Sequence, residues 1–431
     1  MKFETFENRV INEKILSGVH ESGLKIYIIP KKGFNKYYAI YGTDYGSCIN
    51  EFTAMGESEK TYLPDGVAHF LEHKLFEEAD GKNAFDRFAI TGANANAYTS
   101  FDITAYLFSC TDKFYENLEI LLDFVNHPYF TDENVQKEQG IIGQEIKMYD
   151  DEPSWRVFFN MLEAMYHNNP VKIDIAGTVE SIAKITPELL YKCTDNFYNP
   201  SNMALVVVGD IDEEKVCALV DKYVKKKAAG SLIKHTVKEP NNRVKERVSQ
   251  KLSVSMPIFM IGFKETAEFN GGAELSKRRI MTDLLLEIYF GQSSSLYMEL
   301  YDKGLINSNF AKETELEPTY GFTAISGESK SPEEVYAFIK DYIKKCEKES
   351  INEEALLRAK RVLIGKNLKM YNSVEKIGNS FIKSFFNGEN PLKFNEIAEK
   401  ITAAELKERF LSHFDINNCV LSVITPQISE I

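Results

Sequence analysis

The pattern of hydrophobic and polar positions along the first half of the chain predicts strands and helices in mixed order. Apolar or aromatic runs typical of strands occur at residues 24–29, 37–45, 103–108 and 203–209, and residues 94–99 alternate in the manner of a half-buried strand. Helices are predicted from Thr131 to Asp150 and from Thr186 onward, because each threonine can cap the helix that follows it. Helices combined with mostly antiparallel strands indicate the α+β fold class.

The second half of the chain repeats this pattern. Residues 142–150 resemble residues 364–372 (364 − 142 = 222), and residues 202–207 resemble residues 418–423 (418 − 202 = 216). Both offsets are close to half the length of the 431-residue chain, so we predict two copies of one domain. Each copy is expected to be a mainly antiparallel sheet with helices packed on it.

Residues 225–245 interrupt the pattern between the two copies. This segment combines many charges with Ala228-Ala229-Gly230 and Pro240-Asn241-Asn242, a composition typical of a linker. We therefore predict an N-terminal α+β domain over residues 1–224 and a C-terminal copy over residues 246–431. The length of the chain agrees with this division, because 431 residues are too many for one ordinary core.

Composition and charge narrow the class of protein. The formal net charge of −13 disfavours nucleic-acid binding, since phosphate backbones attract basic surfaces. No apolar run approaches the roughly 20 residues that cross a bilayer, so no membrane interaction is expected. The first residues lack the apolar segment of a secretory signal. The six cysteines lack C-x-x-C spacing and are interpreted as reduced core residues, which predicts a cytoplasmic protein.

The candidate site residues are concentrated in one short motif, His69-Phe70-Leu71-Glu72-His73. On a helix the two histidines lie one turn apart on the same side, and Glu72 lies on that side as well. Residues 67–76 are otherwise mostly apolar, so these ionisable groups are costly to bury unless something pairs with them. A divalent metal ion would pair with them, and the order H-x-x-E-H is the inverzincin signature.

The third metal ligand is predicted on the helix that begins after Thr131. A catalytic zinc ion takes three protein ligands and keeps one position open. Glu138, Ile141, Ile142, Glu145 and Met148 share the spacing of one helix face, which predicts a buried stripe carrying two carboxylates. We assign Glu145 as the third ligand beside His69 and His73, for one Zn²⁺ per chain. We expect Glu138 to orient a histidine or close the site.

The second copy is predicted to lack this site. At an offset of 215 the two histidines of the motif fall opposite Leu284 and Ile288. At an offset of 222 Glu145 falls opposite Asn367. The second copy therefore keeps the apolar positions of the first and none of its histidine ligands.

With these residues the chain resembles the pitrilysin/insulinase family of zinc peptidases, which includes the mitochondrial processing peptidases. The matching segments are residues 66–73, 92–99, 144–145 and 199–203, together with Glu138. The resemblance implies two halves that close like a clamshell around short or unfolded peptides. It also implies that His69, His73 and Glu145 hold zinc while Glu72 is the catalytic general base.

The resemblance further assigns a substrate-binding strand to Asn96, Ala97, Tyr98 and Thr99. In the family this is an edge strand, to which an extended peptide substrate adds by main-chain hydrogen bonds. The alternation of these residues alone would indicate only a half-buried strand.

The sequence departs from the family at two positions of the second half. Family members often carry an arginine and a tyrosine there that bind substrate and stabilise the oxyanion, whereas this chain has Ser295 and Asn307. We therefore hypothesise that a second, homologous subunit supplies the pair, as in the bacterial members of the family that work as heterodimers. A self-sufficient homodimeric or monomeric peptidase remains an alternative. A non-catalytic peptide-binding subunit is a further alternative, although it would be expected to lack one of the four site residues.

Overall fold

The computed structural model describes residues 1–227, 232–267 and 269–427. Its strands are β1 (Glu4–Asn8), β2 (Glu13–Val19), β3 (Lys25–Pro30), β4 (Tyr37–Thr43), β5 (Glu51–Thr53), β6 (Lys60–Tyr62), β7 (Asn94–Thr99), β8 (Thr104–Cys110), β9 (Met203–Gly209), β10 (Ile233–Lys234), β11 (Arg247–Leu252), β12 (Ile258–Lys264), β13 (Ala311–Glu317), β14 (Tyr320–Glu328) and β15 (Val420–Pro426). The predicted strands of the first half are all present, with ends shifted by no more than a few residues.

The helices lie between these strands. They are α1 (Val67–Lys74), α2 (Ala84–Thr91), α3 (Phe114–Asn126), α4 (Asp132–Asp150), α5 (Pro153–Met165), α6 (Val179–Ile182), α7 (Pro187–Phe197), α8 (Glu213–Tyr223), α9 (Ala273–Phe290), α10 (Ser295–Asp302), α11 (Pro332–Cys346), α12 (Glu353–Met370), α13 (Val374–Phe386), α14 (Phe394–Lys400) and α15 (Ala403–His413). Among the described residues, no helix is both long and apolar enough to cross a membrane.

The first compact unit is built on a seven-stranded sheet in the order β1-β2-β3-β9-β4-β8-β7. Its centre is β9, in which every residue is buried. β9 runs parallel to β3 and antiparallel to β4, and β8 and β7 continue the antiparallel pairing to the edge. A small sheet in the order β10-β5-β6 belongs to the same unit.

The second compact unit repeats the central part of this topology. Its five-stranded sheet has the order β11-β15-β12-β14-β13, which corresponds strand by strand to β3-β9-β4-β8-β7. The pairing directions also correspond, because β11 and β15 are parallel and the remaining pairs are antiparallel. The predictions of an α+β fold class and of two copies of one mainly antiparallel domain are therefore confirmed.

Neither compact unit is continuous in sequence. The first contains residues 1–146, 173–236 and 368–386, and the second contains residues 147–172, 237–367 and 387–431. Helix α13, from the second half of the sequence, thus packs on β4 and β9, while α5, from the first half, packs on β12 and β15. The predicted domain boundaries (residues 1–224, a linker over 225–245, and residues 246–431) refer to the two copies along the sequence. They stay a prediction.

Part of the predicted linker forms a short strand. Ile233 and Lys234 pair with Thr53 and Phe52 of β5. The predicted linker residues Ala228-Ala229-Gly230 lie outside the described residues.

The second unit encloses a buried polar cluster. Arg409 Nη2 lies 2.5 Å from Glu265 Oε2, and its Nε donates to Thr282 Oγ1 at 3.0 Å. His413 Nε2 is 3.0 Å from Thr323 Oγ1. Burial and the nearby Arg409 guanidinium lower the pKa of His413 to about 4. Burial opposes ionisation of Glu265, but its bond to His413 and the Arg409 charge hold its pKa below the ordinary value.

These two pKa shifts predict that the second unit loses stability in acid. The unfolded chain takes up protons on histidine near pH 6.5 and the folded chain only near pH 4, so the free energy of unfolding falls as the pH drops through this window. The expected loss from His413 is about 3 kcal/mol. Urea unfolding followed by fluorescence of Trp155, the single tryptophan and a member of this unit, measures it.

A matched pair of variants tests the cause of this acid sensitivity. His413→Gln should flatten the dependence of the unfolding free energy between pH 7 and pH 4.5. His127→Asn, at a side chain that is 64% exposed, should leave the dependence as it is. Equal slopes for wild type and His413→Gln would contradict the prediction.

Candidate metal centre

Helix α1 carries the H-x-x-E-H motif and begins after a glycine that no other residue can replace easily. Gly66 precedes the first residue of α1 and has φ 94°, in the left-handed region. A Cβ atom there would lie 2.5 Å from the carbonyl oxygen of Ala176. Glycine therefore sets the direction in which the chain enters α1. His69 and His73 follow one turn apart, with ring centroids separated by 4.6 Å.

Helix α4 brings Glu145 to both histidines. His69 Nε2 lies 3.7 Å from Glu145 Oε1, and His73 Nε2 lies 3.5 Å from Glu145 Oε2. One ligand atom from each of the three residues falls within 4.8 Å of the others. The structure therefore gathers the three residues that the sequence predicts as metal ligands.

The spacing of these donor atoms fits a zinc ion. Zinc–nitrogen and zinc–oxygen bonds of about 2.0–2.2 Å in a tetrahedron place neighbouring ligand atoms roughly 3.3–3.5 Å apart. The observed 3.5 and 3.7 Å are close to that spacing and longer than hydrogen bonds. Two imidazoles and one carboxylate are also a donor set that zinc prefers.

The surroundings of His69 favour its neutral form, which can bind a metal ion. Its side chain is buried, and burial together with the nearby His73 lowers its pKa to about 4. His69 is therefore neutral at neutral pH, which is the form that coordinates a metal ion. Its Nδ1 is buried without a hydrogen-bond partner among the described residues.

Glu138 holds the second histidine by its other nitrogen. His73 Nδ1 donates to Glu138 Oε1 at 3.0 Å, which leaves Nε2 facing Glu145. Burial opposes a charge on His73, but Glu138, Glu145 and Glu72 together raise its pKa above the ordinary value. Burial likewise opposes ionisation of Glu138. The hydrogen bond from His73 and the positive charge of Lys74 have the larger effect, so the pKa of Glu138 lies below its ordinary value. This position agrees with the orienting role predicted for Glu138.

Glu72 points to the strand beside α1. Its Oε2 accepts a hydrogen bond of 2.7 Å from Thr99 Oγ1, the last residue of β7. Burial raises the pKa of Glu72, and the bonds from Thr99 limit the rise. A raised carboxyl pKa suits a general base, because proton transfer is most efficient when the pKa approaches the working pH.

The buried face of α4 differs from the predicted stripe. Ile141 is 47% exposed and Met148 is 60% exposed, so both predictions were wrong. The face that α4 buries is rotated toward Val135, Ile142 and Ile146. Glu138 is itself buried within this face, and Glu145 lies at its edge, where its carboxylate can meet α1 and still be partly open to solvent.

The predicted substrate strand lies at the edge of the first sheet. β7 contains Asn96, Ala97, Tyr98 and Thr99 and, among the described residues, pairs only with β8, so it is the last strand in the sheet order. Asn96 is exposed and the other three side chains are half-buried. An edge strand of this kind leaves main-chain groups available to an added strand.

The second unit has an internal ion pair at the positions that align with the candidate metal centre of the first. Leu284 and Ile288 of α9 are buried at the positions aligned with the two histidines. Glu287 Oε2 binds Lys312 Nζ at 2.9 Å and Lys366 Nζ at 3.4 Å. Lysine ammonium groups thus neutralise the carboxylate that aligns with Glu72.

Ser295 and Asn307, the two positions that differ from the family, both form hydrogen bonds with residues of the second unit. Ser295 Oγ lies 3.1 Å from the Tyr342 hydroxyl, and Asn307 Nδ2 donates to Glu328 at 2.7 Å. Neither side chain carries a charge, so neither can replace an arginine.

Two features of the site were missed from the sequence. One is the Thr99–Glu72 hydrogen bond, and the other is Lys74, a buried lysine at the end of α1. A signal for Lys74 was available, since it is a fourth ionisable residue in the apolar stretch of residues 67–76. No pattern in the sequence identified the partner of Glu72.

Family models match most of the chain. A model described as Insulinase (Peptidase family M16) matches residues 55–179, which contain the motif and Glu145. A model described as Peptidase M16 inactive domain matches residues 184–363, which contain no residue of the metal centre. The second match agrees with a second copy that lacks the ligands.

Curated relatives and solved structures extend the match to almost the full length. The uncharacterized zinc protease YmfH of Bacillus subtilis is 41% identical over 430 residues, covering 99% of both chains. A putative M16-like peptidase from Alicyclobacillus acidocaldarius has a TM-score of 0.92 at 33% identity, again covering 99% of both chains. Pitrilysin shares the fold, with a TM-score of 0.77 at 14% identity over 99% of this chain and 46% of pitrilysin. The chain therefore belongs to the insulinase family of peptidases, family M16.

Proposed function

We propose that this chain is a zinc-dependent endopeptidase that cleaves short or unfolded peptides. The observation that carries the proposal is the convergence of His69, His73 and Glu145 at donor spacings of 3.5 and 3.7 Å, with Glu72 next to them on the same helix. One zinc ion per chain would be held by these three residues. When bound, such an ion supplies Lewis acidity and makes water a nucleophile at neutral pH.

The side chains around the metal centre have separate roles in this proposal. Glu72 takes a proton from the attacking water on its carboxylate and later gives it to the leaving amine. Thr99 holds that carboxylate by the 2.7 Å hydrogen bond, so the base does not turn away from the substrate. Glu138 holds His73 by Nδ1 and keeps Nε2 directed toward the metal position.

The substrate would bind along β7. An extended peptide can add to the free edge of this strand by main-chain hydrogen bonds, which read no side chain and accept many sequences. Because Thr99 ends β7 and also binds Glu72, a peptide in register with Asn96, Ala97 and Tyr98 lies close to the general base. Most main-chain groups of a folded protein are already hydrogen-bonded within it, so this mode of binding favours short or unfolded substrates.

A second, homologous subunit would complete the active site. Ser295 and Asn307 cannot supply the charged donor that family members often have, and an oxyanion donor is worth about 10²–10³ in rate. We therefore propose that the chain is the catalytic subunit of a heterodimer. A homodimer is the alternative partner arrangement, and we place the protein in the cytoplasm.

A non-catalytic, peptide-binding role is the competing function. The match to an inactive-domain description favours it in principle, but that match covers residues 184–363 only. His69, Glu72, His73 and Glu145 are all present in the first half. A binding subunit has no need to keep a complete set of ligands and a base.

Zinc analysis and peptide hydrolysis test the proposed function together. We expect elemental analysis of the purified chain to give one zinc per chain. We expect the chain alone to cleave a quenched fluorescent peptide slowly, and chelation to abolish this cleavage until zinc is restored. Absence of zinc, or cleavage that survives complete removal of the metal, would contradict the proposal. Full turnover by the chain alone would contradict only the need for a second subunit.

A further inference from the structure

Lys74 is a buried lysine with no role in the chemistry described so far. It is the last residue of α1, directly after His73, and its side chain is 1% exposed. A buried ammonium group is costly unless carboxylates surround it. Two carboxylates do so here: Glu77 forms a hydrogen bond with Nζ, and Glu138 Oε2 lies 3.7 Å from Nζ.

Glu138 is therefore shared between Lys74 and the metal centre. Its Oε1 accepts from His73 Nδ1 at 3.0 Å, while its Oε2 faces the Lys74 ammonium. A carboxylate whose two oxygens are held by different partners cannot rotate about its terminal bond without losing one of them. The Glu138 side chain is 10% exposed, so water offers little replacement for a lost partner.

We propose that Lys74 is a positioning residue of the metal centre, which acts through Glu138 to fix the ring of His73. The ammonium holds the Glu138 carboxylate in the plane that receives His73 Nδ1, and this turns His73 Nε2 toward Glu145 and the metal. The inference rests on the proposed function, because it needs a metal ion between His69, His73 and Glu145.

The competing explanation is that Lys74 only closes the end of α1. A cation at a helix C-terminus interacts favourably with the helix dipole, and its bond with Glu77, three residues further on, is local. This explanation predicts a change in folding stability and no change in metal affinity once the protein is folded. The ion pair with Glu138, 64 residues further along the sequence, distinguishes the two explanations.

Metal affinity of Lys74 variants is the test. The zinc dissociation constant is measured by competition with a chromophoric chelator, and folding is monitored by circular dichroism. We expect Lys74→Met, which keeps the length of the side chain without its charge, to weaken zinc binding about 10–100-fold. Lys74→Arg should recover affinity to within a few-fold, and Glu77→Gln, which removes the charge of the other carboxylate partner, should leave it unchanged.

A spectroscopic readout and a double variant make the test specific. The visible absorption of the Co²⁺-substituted protein should change in Lys74→Met in the same way as in Glu138→Ala. In the Glu138→Ala background, Lys74→Met should cause no further loss, since the two residues act in series. If Lys74→Met does not fold, Lys74→Gln undergoes the same measurements.

Each result then decides one question. A folded, uncharged Lys74 variant that binds zinc within about 3-fold of the wild type overturns the inference while leaving the proposed function intact. Additive losses in the double variant also overturn it. A wild-type chain that takes up neither zinc nor cobalt overturns the proposed function itself.

Discussion

Replacing Glu72 with glutamine is expected to lower the rate of peptide hydrolysis by about 10²–10⁴-fold while the zinc content stays at one per chain. Glutamine has nearly the same shape as glutamate and can still accept the hydrogen bond from Thr99 Oγ1, but it cannot take a proton from water. Steady-state cleavage of a quenched fluorescent peptide and elemental analysis of the same sample measure the two quantities.

The control for this variant is a glutamate of similar chemistry away from the site. Glu133 is exposed in the first turn of α4, and Glu133→Gln should leave both hydrolysis and zinc content unchanged. Hydrolysis at the wild-type rate by Glu72→Gln would show that another group is the base. Loss of zinc from this variant would instead make Glu72 a ligand.

Replacing Glu145 with alanine is expected to remove zinc from the chain. Glu145 faces both His69 Nε2 and His73 Nε2, so its loss leaves two imidazoles, one fewer than the three protein ligands of a catalytic zinc site. Loss of a residue that only supports a ligand weakens binding about 10–100-fold, and loss of a ligand itself should exceed this. Isothermal titration of the metal-free protein with zinc measures the change.

A neighbouring residue of α4 provides the control for Glu145. Gln136 is exposed on the same helix, and Gln136→Ala should bind zinc as the wild type does. Unchanged zinc stoichiometry and affinity in Glu145→Ala would place the third ligand elsewhere. The circular dichroism spectrum should match that of the wild type, because Glu145 is at the edge of the buried face and not in the core.

The candidate ligands could be predicted because their signals are local or periodic. His69 and His73 are one helical turn apart, and that spacing alone puts them on the same side of α1. Glu145 was chosen for the spacing of carboxylates and apolar residues along α4. The same argument failed for Ile141 and Met148, which are exposed, because helical period gives relative positions on a helix and not which side is covered.

The repeated halves could also be predicted, although the composition of the compact units could not. Similar segments at nearly equal offsets predict two similar folds, and the two sheets have the same strand order. No local signal tells that residues 147–172 join the second unit or that residues 368–386 join the first. Each helix packs its apolar face against a sheet with a complementary surface. Which sheet this is depends on residues far away in the sequence.

By itself the sequence determined the α+β class, the two copies and a helix presenting two histidines and a glutamate on one side. Only the tertiary structure decided how those groups are supported. The bond from Thr99 to Glu72 spans 27 residues, and the bond from His73 to Glu138 spans 65. Helical period and apolar pattern report neighbours within one element, whereas these bonds form only after separate elements pack. For that reason sequence patterns predicted the candidate ligands and Glu138, whereas the contacts of Glu138 with His73 and Lys74 appear only in the folded chain.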